Sequence, residues 1–539
     1  MQDEYFLEQY SVAQSARDTF RVKTAVAGLA ALATGIPAFF GLPHTVMGLL
    51  EMIFAAAVFF ICRREMTEGI TGLVRLDPSN DSLNAVALAV GFINAVYGLF
   101  ADYVPFFAAI SLSVFVSMLM KLLFVQELIA NLNLIKNNKT YAVNTERINL
   151  TKRYIDRVCM VNPVVKFPNV VDTTYEGDPS EKKIRYFAPA VCGAVVLLAL
   201  IVGISKGFGL FTSSLAALVA VTASFTGEMS FVLPYMMAQH RLRKYGSVLL
   251  GYHSIESLRD ADTLVVEDTE LFPPSLVQMV RFRFRDGKHL SEAVEYTATL
   301  LIESDSPVKD EFCRTLGCSV DRLPVVDDWK FIKNYGVYAH IYGDEVLLGN
   351  RNLLLSHGVT PLPQEEEVSL ITMNRSILYL AINGDLAAYL LYTCRPDPEL
   401  KKAAENIGDF NIIVSTRDCG VTENIVQKRY DMQTTRVIVP DAEESALLEK
   451  AAKNADREEL PAMITTKNSL GILSSVRLAK NLSSTVGLCI FAKQASICLG
   501  LLLTFIALLC VPATVSMIWT VLFNILWSLP AILLSVLKQ

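Results

Sequence analysis

Asp262–Pro274 reads DTLVVEDTELFPP. Thr263, Leu264, Val265 and Val266 have the composition of a short buried strand, and the Pro273-Pro274 pair ends regular structure a turn later. Between them stand three acids, Glu267, Asp268 and Glu270, at the carboxyl end of that strand, where an α/β enzyme keeps its catalytic groups. The surrounding chain carries the same alternation. Strand-like TLVVED, ILYLAIN and NIIVST interleave with helix-like PELKKAAENIG and AEESALLEKAAKNA, which predicts an α/β domain over residues 241–482.

Outside this domain the chain is apolar. Of 539 residues, 52% are hydrophobic and 19% charged, with mean hydropathy +0.38, a balance that favours a membrane protein. The net charge of −6 gives no reason to expect nucleic acid as a partner. The ten cysteines form no CxxC pair and the six histidines have no zinc-site spacing, so no disulfide framework and no metal site is expected. The opening MQDEYFLEQYSVAQSARDTFRVK is polar and of mixed charge, unlike a cleavable signal peptide.

Apolar runs long enough for a bilayer of about 30 Å come in pairs: 24–42 with 45–62, 83–101 with 104–125, 187–204 with 209–238, and 485–510 with 513–536. Connections within pairs are short, and those between pairs are long and polar. Arg17, Arg21, Lys23, Arg63, Arg64, Arg241, Arg243, Lys244 and Lys538 flank the long side, with Lys206 the exception. The positive-inside rule then places both termini and the large domain in the cytosol of a multi-pass cell-membrane protein.

Eight spans in the order four, two, large domain, two resemble the heavy-metal branch of the P-type ATPases, nearest the zinc/cadmium group. KYGSVLLGYHSIESLRDADTLVVEDTEL resembles the entry into that family's phosphorylation loop, which normally ends DTVVFDKTGTLT. YGDEVLLGNRNLLLSHGV is similar to the nucleotide-domain segment ending VGNRxLL. NIIVSTRDCGVTENI is similar to the TGDN segment, and MITTKNSLGILSSVRLAKNLSSTVGLCIFAK to the exit into the last two spans. The resemblance implies eight transmembrane helices, a haloacid-dehalogenase-like α/β domain and an inserted α+β nucleotide-binding-like domain. The implied divisions are a cytosolic N-terminal segment (1–23), four spans (24–125), and a reduced segment in place of the actuator domain (126–186). Spans five and six follow (187–240), then the phosphorylation-like domain (241–274 and 386–482) enclosing the nucleotide-binding-like domain (275–385), and spans seven and eight (483–539).

Against the family pattern the chemistry is degraded. Phosphoryl transfer needs an in-line carboxylate, a cation against the moving charge and Mg²⁺ ligands. Glu267 stands where the nucleophilic aspartate belongs, Asp268 where the lysine belongs, and Glu270 where the glycine belongs; Thr269 is kept. The TGDN position reads Thr416-Arg417-Asp418-Cys419, keeping threonine and aspartate, and no GDGxNDxxAL motif follows. The relic positions are therefore Glu267, Asp268, Thr269, Thr416 and Asp418. The His-Pro motif reads Ser306-Pro307, which leaves Gly336, Gly349 and Asn350 as the nucleotide-binding candidates. TYEGDPSEK from Thr174 faintly echoes the actuator's TGE loop, while the literal TGE at Thr226–Glu228 lies inside an apolar run.

Four charges fall inside the apolar runs: Glu51, Lys121, Glu228 and Lys493. Lys121 is close enough to a span end to snorkel, and Glu51 is placed to reach the headgroups. Glu228, Pro234 and Lys493 are the intramembrane candidates, and Glu228 and Lys493 are expected to form a structural ion pair, with an ion or proton path as the alternative. The leading reading is a catalytically inactive P-type ATPase-like protein that acts by binding, as scaffold, regulator or sensor. It expects no cofactor, and its partners are the lipid bilayer and a second membrane protein. The alternatives are a heavy-metal-transporting ATPase with an atypical nucleophile, Glu267 or Asp268, which would use ATP and Mg²⁺, and a phosphatase activity of the α/β domain.

Overall fold

In the computed structural model, the described residues are 2–150, 153–162, 174, 179–285, 290–318, 323–371, 375–405, 410–416, 418, 420–432, 436–454, 461–466 and 469–537. They divide into two units, Met1–Lys139 with Phe167–Arg259 and Leu478–Gln539, and Thr140–Lys166 with Asp260–Arg477.

The first unit is helical. Among the described residues seven helical segments are long and apolar enough to cross a membrane: Leu7–Phe39, His44–Ile61, Phe107–Asn137, Lys182–Lys206, Phe208–Arg243, Ser469–Cys510 and Met517–Leu537. The chain is a multi-pass membrane protein. The remaining expected span is the apolar Asp81–Tyr97 helix, whose 17 residues rise only about 26 Å. Small residues let these helices approach closely. Gly28 lies under the Phe115 ring, where a Cβ would be tightly packed, and Gly48 lies against the backbone at Ala95 and Gly98, where one would collide with the Ala95 carbonyl oxygen. Side chains turned inward form two apolar clusters, one around Ala87, Ile110, Ala217 and Ile497, the other around Ala27, Val58, Leu88 and Met118. Leu29, Leu32, Phe60, Leu526 and Leu533 point outward on the same helices, the surface a lipid environment requires.

Element boundaries depart from the sequence reading. Residues 1–23 are not a separate segment, since one helix runs Gln2–Phe39. Helices Phe107–Asn137, Pro179–Lys206 and Ser469–Cys510 overrun the expected span limits by a turn or more, because their polar ends carry on the backbone ladder. The sixth run is broken at residues 223–225 into Phe211–Thr222 and Thr226–Arg243. At the break Ser224 Oγ accepts from the Thr226 N–H at 3.3 Å and bonds Thr226 Oγ1 at 2.7 Å, which takes up one of the free N–H groups at the start of the second helix.

The second unit holds two sheets. In the first, strands Arg436–Ile438, Asn411–Ser415, Thr263–Glu267 and Arg153–Asn162 lie side by side in parallel. The antiparallel Tyr141–Leu150 and Met463–Thr465 extend it. The expected reduced segment, 126–186, is thus not an independent piece. Its hairpin supplies two strands of this sheet, and Ile148, Val158 and Met160 pack with Ile413, Ile438 and Leu448 in its core.

The second sheet is antiparallel, in the order Val277–Phe284, Asp385–Cys394, Arg375–Ile382, Asp344–Gly349, Gly336–Ile341, Val326–Ile332. It is the expected inserted module, but it runs to Cys394 rather than ending at 385. Asn383 and Gly384 have φ of 49° and 84°, the two left-handed residues of a tight hairpin turn, so the strand after them folds back into the same sheet. Arg281, Arg283 and Arg285 are exposed on the outermost strand, a solvated face.

Candidate functional site

The acidic loop lies at the carboxyl ends of the parallel strands. Thr263–Glu267 pairs with Asn411–Ser415 so that Glu267 stands beside Ser415. Strand alternation sends the two neighbouring acids different ways. Glu267 is exposed, while Asp268 begins a single helical turn and is buried. Thr416 Oγ1 donates to Asp268 Oδ2 at 2.5 Å and itself accepts the Asp418 N–H at 2.9 Å. The Thr269 N–H also donates to Asp268. Burial, opposed by the bond from Thr416 and reinforced by the Asp418 charge, pushes the Asp268 carboxyl up to about 7.

A cavity of about 190 Å³ opens beside Glu267. Its described walls include Glu267, Glu270, Glu449, Ser415, Thr416 and Ser445, and among the described residues no cation lines it. Glu270 accepts a hydrogen bond from Ser469 Oγ. The relic positions Glu267, Asp268, Thr269, Thr416 and Asp418 are therefore gathered at one end of the sheet, split between an exposed acidic cavity and a buried carboxylate cluster. Arg417 and Cys419 lie outside the described residues, as does most of the segment following Thr174.

In the inserted module, the three nucleotide-binding candidates hold the protein's own backbone. A Cβ on Gly349 would run into the Tyr335 carbonyl oxygen and the Leu353 side chain, and one on Gly336 into the Leu348 carbonyl oxygen and Gly349. Gly336 also has φ of 147°, a conformation other residues rarely adopt. Asn350 caps the Arg351–Ser356 helix, its Oδ1 accepting from Asn352 at 3.0 Å and Leu353 at 3.2 Å and its Nδ2 donating to the Asn334 carbonyl at 2.7 Å. Ser306, in the His-Pro position, is buried with its hydroxyl accepting from the Val308 N–H at 3.4 Å.

The intramembrane charges also find places the sequence did not indicate. Glu228 and Lys493 line one small cavity of about 10 Å³, room for a single water, with Asn80, Asn84 and Ser117. The two residues expected to pair share this cavity, and each has a further neighbour. Lys493 Nζ donates to Asn80 Oδ1 at 2.8 Å, and Asn80 Nδ2 donates to Ser180 Oγ at 2.6 Å. Glu228 lies 3.8 Å from Lys121 Nζ, which reaches Asp81 at 2.5 Å. Lys121 is thus held inside the bundle instead of snorkelling. Asp81 and Glu228 each sit in the first turn of a helix, where the backbone dipole favours a carboxylate, and the two lysines balance them. Pro234 is buried within the second of those helices.

Glu51 departs from expectation too. It is 1% exposed, accepting from Tyr103 Oη at 3.0 Å and the Phe107 N–H at 3.2 Å, and so ties one helix to the start of another rather than reaching headgroups. Sequence reasoning missed Asn80, Asp81 and the buried Lys23–Glu65 pair at 2.5 Å. All of these sit just outside the apolar runs, where polar residues raise no alarm.

No protein-family model matches the chain. A copper-transporting ATPase from Rhizobium meliloti (strain 1021) is 20% identical over 275 residues, covering 50% of this chain and 33% of that protein. The chain therefore spans about a third of the length of that curated relative. A zinc-transporting PIB-type ATPase superposes with a TM-score of 0.47 at 11% identity, over 97% of this chain and 99% of that one. A second crystal structure of a zinc-transporting PIB-type ATPase gives 0.48 at 12%, over 96% and 99%. Across half its length, this chain is similar to a heavy-metal-transporting P-type ATPase.

Proposed function

We propose that this chain is a P-type ATPase-like membrane protein that does not carry out phosphoryl transfer and acts by binding, as a scaffold, regulator or sensor of another membrane protein. We place it in the cell membrane with both termini and the α/β unit in the cytosol. One observation carries the reading. The cavity beside Glu267 presents Glu267, Glu270 and Glu449 and, among its described walls, no cation. Phosphoryl transfer runs on electrostatic stabilisation of a charge-rich transition state. Three carboxylates lining one cavity oppose that charge. The test is ATP hydrolysis by the purified full-length protein in proteoliposomes, with Mg²⁺ and with zinc, copper or cadmium. The reading expects no vanadate-sensitive activity under any of these metals.

A second reading is an ATP- and Mg²⁺-dependent heavy-metal transporter with an unusual phosphorylation site. It is favoured by the buried Asp268–Thr416–Asp418 cluster at the carboxyl end of the parallel strands, and by the copper-transporting function of the curated relative. Metal-stimulated hydrolysis lost in Asp268→Asn would select it.

A further inference from the structure

Cys313 and Cys318 stand at the end of one helix in the inserted module. That helix, Lys309–Leu316, stops at Gly317, whose φ of 70° and ψ of 28° are left-handed. The chain turns back there, and the N–H groups of Gly317 and Cys318 both donate to the Cys313 carbonyl oxygen, the second at 3.0 Å. A helix closed in this way brings the side chain that follows the glycine against one in its own last turns, where an apolar contact is common. Here both residues are cysteine, and the Cys313 thiol donates a hydrogen bond to the Cys318 sulfur. Neither is in a disulfide.

Both cysteines are half-buried, so a small reagent reaches them. The helix that carries them is anchored: Phe312 is fully buried and meets the Phe282 ring at 5.1 Å. Burial raises both thiols above their ordinary range; the neighbouring Cys318 and the Asp310 charge add to this at Cys313, and the Glu295 charge adds to it at Cys318. The bond from Cys313 acts the other way at Cys318, because it stabilises a thiolate there. Cys318 is therefore the sulfur that attacks first, with Cys313 in place to resolve the product.

We propose that Cys313 and Cys318 form a reversible modification site, a dithiol that closes to a disulfide by exchange with a small-molecule disulfide such as oxidised glutathione. The Cys318 thiolate attacks one sulfur of the reagent. The reagent's S–S bond breaks, leaving a mixed disulfide on Cys318 and one free thiolate. Cys313 gives up its proton, attacks the Cys318 sulfur and expels the second thiolate. The two expelled thiolates take up the two cysteine protons, so the protein loses two electrons and the reagent gains them. Closure staples the end of helix Lys309–Leu316 and holds Gly317 in its left-handed turn. With both thiols held protonated the exchange is slow at neutral pH, and in a reducing cytosol the pair rests as the dithiol. The site works whether or not the chain hydrolyses ATP.

The test is to treat the folded full-length protein in detergent with oxidised glutathione, block the remaining thiols with N-ethylmaleimide and digest with trypsin. Arg314 lies between the two cysteines, so closure joins two tryptic peptides, 310–314 and 315–322, through one S–S bond. We expect this linked pair, lighter by two hydrogens than the sum of the free peptides, and its loss on reduction with dithiothreitol. Cys313→Ser should stop at a glutathione adduct on Cys318. Gly317→Ala tests the geometry. No atom crowds the added methyl, so the variant should fold, which a size-exclusion profile checks. Its left-handed backbone is strained, and closure should slow about fivefold or more. Recovery of both cysteines as maleimide adducts after oxidant overturns the proposal. So does linkage of either one to a different cysteine, a Cys313→Ser protein with no adduct on Cys318, or closure as fast in Gly317→Ala as in wild type.

Discussion

Thr416 Oγ1 and Asp268 Oδ2 are 2.5 Å apart, and this bond separates two acids that are adjacent in sequence. Asp268 is turned into the core, and Glu267 is left exposed at the mouth of an acidic cavity. The position that in the resembled family holds the lysine is therefore occupied by a carboxyl group that titrates near neutrality.

That titration has a sign. The folded-state pKa of Asp268, about 7, lies above the ordinary 3.8. The folded protein holds this proton where the unfolded chain has lost it. The stabilisation is fully present below pH 3.8 and is lost as pH rises through about 7. Its size is bounded by about 4 kcal/mol. Thermal unfolding of the α/β unit should shift downward between pH 5 and 7 on the order of several degrees, and Asp268→Asn should flatten that slope. An Asn variant with the wild-type slope contradicts the assignment.

Lys121 should depend on Asp81 more than on Glu228, given separations of 2.5 and 3.8 Å. Removing one partner of a buried pair costs about 3–5 kcal/mol, because the other charge is stranded. Asp81→Asn and Lys121→Met should each lower the folded yield in detergent, and their combination should recover much of it. Glu228→Gln should rescue Lys121→Met less well. Equal rescue by the two acids counts against the geometry.

Glu51 needs its acceptor oxygens. Glu51→Gln keeps one oxygen for Tyr103 or the Phe107 N–H, whereas Glu51→Leu leaves those donors buried without it. The leucine variant should lose about 1–3 kcal/mol and the glutamine variant less, read as unfolding midpoints in detergent. A leucine variant as stable as wild type removes the role assigned to Glu51.

Gly349→Ala is a packing change before it is a ligand-site change. The added methyl meets the Tyr335 carbonyl and Leu353, so the inserted module should be destabilised by about 1–3 kcal/mol with no nucleotide present. Hydrogen exchange across strands Gly336–Ile341 and Asp344–Gly349 measures this. Unchanged protection in the variant would mean the space is open.

Much of the plan was legible because strong periodic signals carry it. The apolar runs mark the membrane helices, and the TLVVE strand marks the α/β unit. Two features were harder to read. The hairpin YAVNTERINL and RYIDRVCMVN mixes charges into its alternation, so the segment reads as a polar remnant until the sheet it completes is known. The membrane network was read one pair short, because Asp81 stands just outside an apolar run and nothing local says that Lys121 reaches it. Glycines in a family motif carry the opposite lesson. Gly336 and Gly349 are kept at motif positions, yet their immediate requirement is the close approach of two strands and a leucine.

The central claim is that the acidic loop transfers no phosphate. The direct measurement is incubation of the purified protein with γ-labelled ATP and Mg²⁺, with and without zinc, followed by acid quench and counting of protein-bound label. The account predicts no label above a heat-denatured control. Acid-stable label that disappears in Glu267→Gln or in Asp268→Asn would contradict it.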